Sequence, residues 1–158
     1  HFGLSAFLGV LCAGFFGLSV SPAYADDPTT IDPKDSYYEA NKQTPGARVD
    51  FKMILANDKP TLLFIHSEHC GPCKRMAPKI HKLAEAKPDI KVVELMLDGE
   101  AEKAIGWESA AAKQFNIHAV PAYLIYDKDG KQIASGTKAK DNVKGWLLET
   151  GIITESDK

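Results

Sequence analysis

The chain has 158 residues, 44% hydrophobic and 25% charged, which is enough for one globular domain with its own core. A formal net charge of −2 leaves no electrostatic case for nucleic acid or an anionic membrane surface as partner. Three cysteines are too few for a disulfide-stapled scaffold.

Every Asp, Glu, Lys and Arg lies downstream of Ala25. Phe2 to Val20 is apolar and rich in small residues, and Ala23-Tyr24-Ala25 ahead of Asp26 forms an A-x-A cleavage site. This pattern predicts a secretory signal peptide over residues 1–25. The chain opens on His1 with neither Met nor a basic stretch, so the first leader residues are expected to be missing. The alternative is an uncleaved inner-membrane anchor facing the periplasm, because 19 uncharged residues approach the ~20 needed to span a bilayer. Cys12 follows Leu11 rather than a small residue, which argues against lipidation and places it in the discarded leader. The mature chain then keeps Cys70 and Cys73 alone, in an oxidising compartment, the periplasm.

Residues 26–46 are polar and turn-rich and read as a loosely packed lead-in to a domain over residues 47–158. Ala47 to Ala56 places Ala47, Phe51, Ile54 and Leu55 on one face and predicts a helix. A strand over Thr61 to Ile65 follows, with His66 continuing it, and then a helix from Cys70 that carries Pro78 inside. Ile90 to Leu97 predicts a buried central strand, Asp98 to Gly106 a loop or short helix, and Ser109 to Phe115 a helical stretch. Ala122 to Tyr126 and Lys131 to Ser135 form a hairpin across Asp127-Lys128-Asp129-Gly130. A last helix, capped by Asp141 and ended by Gly151, turns Val143, Trp146 and Leu147 inward. The order specifies an α/β sandwich around a mixed sheet flanked by helices.

Cys70-Gly71-Pro72-Cys73 stands where a strand becomes a helix. The first sulfur falls at the helix N-terminus, where unpaired N–H groups and the helix dipole favour a thiolate. The second lies one turn in, within reach to resolve a mixed disulfide. Pro72 occupies the first turn, where a missing N–H is tolerated. As a mere staple the pair would be weak, because so short a loop constrains the unfolded chain by only ~2 kcal/mol.

Cys70-Gly71-Pro72-Cys73-Lys74, then Met76-Ala77-Pro78, resembles the active-site helix of the thioredoxin-like superfamily. Asn116 to Pro121 resembles its cis-proline loop, and Lys128-Asp129-Gly130 with Gly136 its following hairpin. The resemblance runs from about Lys59 to Gly151 and implies a thioredoxin fold and a protein thiol–disulfide oxidoreductase, which the leader pattern makes an exported one. It implies Cys70 as nucleophile, Cys73 as resolving thiol, and Val120 with a cis Pro121 as the substrate-docking element. It implies no organic cofactor. The expected partners are protein thiols and disulfides, with a membrane-borne redox protein to recharge the pair; no dimerisation segment is visible, and a monomer is expected.

Two positions depart from the pattern. The buried acid expected six residues before Cys70 is Phe64, which leaves Glu68 or water to move the proton, and the aromatic neighbour expected before Cys70 is His69. A protonated His69 would stabilise the Cys70 thiolate; the alternative is a partly exposed rim residue. His66, His69, Cys70 and Cys73 also form a Cys₂His₂ set, which raises a periplasmic copper-binding or metal-delivery module as the alternative function. All four lie within eight residues, unlike structural zinc sites, so no metal site is assigned. Trp107, Tyr123, Tyr126 and Trp146 read as packing residues, and His81 and His118 as surface residues.

Overall fold

The computed structural model describes residues 36–157, so the expected leader and its cleavage site lie outside the described residues. The strands are β1 (Tyr37–Glu39), β2 (Thr61–His66), β3 (Lys91–Met96), β4 (Ala122–Tyr126) and β5 (Gln132–Ser135). The helices are α1 (Phe51–Ile54), α2 (Gly71–Ala86), α3 (Ala110–Phe115) and α4 (Gly136–Glu149), with a closing 3₁₀ turn at Glu155–Asp157. The strands form one mixed sheet in the order β1-β3-β2-β4-β5. β3 runs parallel to both β1 and β2, while β4 runs antiparallel to β2 and β5 antiparallel to β4.

Leu62, Leu63, Phe64 and Ile65 of β2 are all buried because helices cover both faces of the sheet. Leu62 and Phe64 point to one face, against Ile80, Leu83 and Ala84 of α2 and Ala139, Val143 and Leu147 of α4. Leu63 and Ile65 point to the other, against Ile54 of α1 and Ala111 and Ala112 of α3. Burying each of these large side chains contributes about 1.5–3 kcal/mol. The strand that leads into the Cys pair is therefore held from both sides.

Three elements differ from the sequence-based expectation. Residues 37–39, expected in a loose lead-in, form edge strand β1, with Tyr37 opposite Val92 and Glu39 opposite Glu94. So short a strand falls below the length at which alternation can be read. The helix expected over residues 47–56 narrows to Phe51–Ile54, with Asp50 Oδ1 accepting from Lys52 N at 2.9 Å. α4 begins at Gly136, with Ser135 in the N-cap position, so Asp141 lies inside the helix rather than capping it. Gly136 takes φ +56°, which turns β5 straight into α4 and suits a residue without a Cβ.

Candidate active site

α2 starts immediately after Cys70, which has extended backbone (φ −103°, ψ 107°) and serves as the N-cap. Its Sγ accepts a hydrogen bond from Cys73 N at 3.2 Å. Gly71 and Pro72 fill the first helical positions, and Pro78 lies further inside. Cys70 and Cys73 are joined as a disulfide, with Cα atoms 5.2 Å apart. Both cysteines are buried, Cys73 completely and Cys70 less so, at 5% exposed. The Val120–Pro121 peptide is cis, and the Val120 carbonyl oxygen lies 3.7 Å from Cys70 Sγ. β2, α2 and the loop before β4 thus bring Cys70, Cys73, Val120 and Pro121 together.

The loop between β2 and Cys70 is fixed by Asp98, a buried carboxylate just beyond β3. Asp98 Oδ2 accepts from Ser67 Oγ at 2.8 Å and from Glu68 N at 2.6 Å, and Oδ1 accepts from Gly106 N at 2.9 Å. Ser67 Oγ in turn accepts from His69 N at 3.0 Å. The exposed His69 ring places Nε2 3.1 Å from the Glu102 carbonyl oxygen. That oxygen only accepts, so Nε2 carries the proton. His69 therefore ties the rim of the Cys pair to the loop that also carries Gly106.

Phe64 is fully buried and stacks between His66 and Tyr123, at ring distances of 5.2 and 5.6 Å. Its partner across β2 and β3 is Glu94, so an acid stands one strand away from the position where Phe64 replaces one. Glu94 is 7% exposed. Its Oε1 lies 2.7 Å from His66 Nε2 and its Oε2 2.8 Å from His81 Nε2, and Oε2 also accepts from the Tyr37 hydroxyl. Burial alone would raise its pKa, but hydrogen bonds from His66, Tyr37 and His81 and the charge on His66 outweigh it and pull it down to about 2. The Tyr37 hydroxyl is pushed well above the ordinary phenol value, by burial first and then by Glu94.

His81 lies at the surface, as expected, and from there bonds Glu94. His118 is exposed and bonds Asn116 Oδ1 at 2.9 Å. Tyr123 and Tyr126 are buried and Trp146 packs against the α2 and α4 side of the core, whereas Trp107 is 39% exposed. The Tyr123 hydroxyl is buried and has no hydrogen-bond partner among the described residues. Also among the described residues, no group of three or more His, Cys, Asp or Glu side chains is placed to hold a metal ion, and no helix is long and apolar enough to cross a membrane.

The thioredoxin-like domain family matches residues 47–150, two-thirds of the chain, and the chain belongs to that family. It is 42% identical over 85 residues to thioredoxin F-type, chloroplastic, of Mesembryanthemum crystallinum, a match spanning 54% of this chain but only 40% of that protein. It is 28% identical over 103 residues to thioredoxin of Alicyclobacillus acidocaldarius, spanning 63% of this chain and 90% of the relative. Among solved structures, the short form of thioredoxin F from spinach chloroplast superposes with a TM-score of 0.51 at 27% identity, over 77% of this chain and 98% of that one. The fold is the thioredoxin fold.

Proposed function

We propose that this chain is an exported protein thiol–disulfide oxidoreductase. The observation that carries the reading is the Cys70–Cys73 disulfide at the N-terminus of α2, with Cys70 the less completely buried residue and Val120 beside it. In the reduced protein, the Cys70 thiolate attacks one sulfur of a substrate disulfide. An S–S bond forms between Cys70 and the substrate, and the second substrate sulfur leaves as a thiolate. The Cys73 thiolate then attacks Cys70 Sγ, which closes Cys70–Cys73 and releases the first substrate sulfur. Two electrons pass to the substrate, and the same steps reversed hand a disulfide to a dithiol. The helix N-terminus stabilises the Cys70 thiolate, both as attacking group and as leaving group. Val120 offers backbone polar groups to an extended substrate segment.

Dithiols in this fold span roughly 150 mV, about 7 kcal/mol for two electrons, so the measured potential assigns the working direction. The apolar leader-like stretch with Ala23-Tyr24-Ala25 supports export to the periplasm, where a membrane-borne thiol protein would recharge the pair. Protein thiols and disulfides are the substrates, and the working form is a monomer. Limited alkylation tests the roles: iodoacetamide in deficit should label Cys70 in the reduced protein, and predominant labelling of Cys73 would reverse the assignment. N-terminal sequencing of protein recovered from a periplasmic fraction should begin near Asp26; an intact leader in the membrane fraction would favour the anchored form.

A further inference from the structure

A groove of about 780 Å³ opens beside the Cys pair, reached past Pro72, Val120 and Pro121 and running between α2 and α4. Its floor is apolar, built from Met76, Tyr123, Val143 and Leu147. Its charged groups are Arg75 and Lys79 of α2, Lys140 and Lys144 of α4, and the acids Asp141 and Asp157. Asp157 already accepts hydrogen bonds from Thr154 N and Oγ1, at 2.7 and 2.8 Å, which satisfy part of its charge locally. Lys79 acts on Asp157 through its charge, while none of the four cations forms an ion pair within 4.0 Å with a described carboxylate. The chain as a whole carries a net charge of −2, so a cationic rim at this one place is not a reflection of general basicity.

Lys140 and Lys144 are four apart on α4, and Arg75 and Lys79 four apart on α2, so each pair lies on one helix face. Like charges at that spacing are mildly destabilising in an isolated helix, and both pairs face the same groove. Four cations against two acids leave the groove with an excess of positive charge, and such a field concentrates ligands of the opposite sign and raises their association rate by roughly 10- to 1,000-fold. Resting on the oxidoreductase reading, we infer that this groove selects substrate segments in which acidic residues flank an apolar stretch next to the exchanged cystine. The apolar stretch covers Met76, Val120 and Pro121, which are only partly buried, and flanking Asp or Glu side chains meet the α2 and α4 cations.

The test uses the reduced protein and three cystine peptides with one shared apolar sequence, flanked by glutamate, glutamine or lysine. Hydroxyethyl disulfide serves as an uncharged reference too small to span the groove. At low ionic strength the glutamate peptide should react at least ~10-fold faster than the glutamine peptide, and the lysine peptide slowest. At about 0.5 M salt, where screening acts within ~4 Å, the three rates should converge. Combining Lys140→Glu with Lys144→Glu should abolish or invert the preference while the rate with hydroxyethyl disulfide stays unchanged. Equal rates for the three peptides, or a preference that survives both substitutions, would overturn the inference and leave the oxidoreductase reading intact. Failure to reduce hydroxyethyl disulfide would remove both.

Discussion

Asp98 takes hydrogen bonds from Ser67 Oγ, Glu68 N and Gly106 N, joining the loop that precedes Cys70 to the loop beyond β3. Asp98→Ala would leave these donors without their acceptor. The expected loss is about 3 kcal/mol of stability, read as a lower urea midpoint, together with slower disulfide exchange as the Cys70 loop loosens. Tyr123 carries the opposite expectation. Its hydroxyl is buried without a partner, so Tyr123→Phe should leave stability unchanged or raise it by ~1 kcal/mol, seen as an equal or higher Tm. The Cys pair and Pro121 were legible in the sequence because their chemistry is written in consecutive residues. Asp98 and Glu94 were not, because their partners stand far away in the chain: Ser67 is 31 residues from Asp98 and Tyr37 is 57 from Glu94. A hydrophobic pattern records burial but not which polar group a buried carboxylate meets.

β1 was missed for a related reason: with three residues, it has meaning only as the partner of β3. Through Tyr37 it also reaches Glu94, to which α2 contributes His81 and β2 contributes His66. This one carboxylate therefore fastens β1, β2 and α2 to β3. A chain begun at Ala47, where the domain was expected to start, should be less stable than one begun at Asp26 by roughly 2–4 kcal/mol in urea unfolding. The Glu94 pKa falls from 4.5 to about 2 in the folded chain. A depressed folded value means that the stabilisation is fully present above about 4.5 and is lost as pH falls towards 2. The linked change is up to roughly 3 kcal/mol, to be read from urea midpoints across that acid range. Glu94→Gln should flatten this acid dependence; an unchanged slope would show that other carboxylates carry it.

The α/β order, the mixed sheet and the buried centre of the molecule were legible because β2 is apolar on both faces and β3 sets Val92 on one face and Val93 and Leu95 on the other, which demands helices above and below. The limits of α1 and α4 were not, because they depend on where the chain turns: Gly136 at φ +56° starts α4 well ahead of Asp141. Two-sided packing holds β2 in place beneath the N-terminus of α2, and this is what sets Cys70 just beneath the surface with Cys73 fully buried behind it. The central claim is that Cys70 makes the covalent link to substrate and Cys73 breaks it. Cys73→Ser and Cys70→Ser proteins, each reduced and then mixed with a cystine peptide, put this to a direct test by intact-mass spectrometry under non-reducing conditions. The account predicts a lasting peptide adduct on Cys70 in Cys73→Ser and little or none in Cys70→Ser. An adduct that forms mainly on Cys73, or none on either protein, would contradict it.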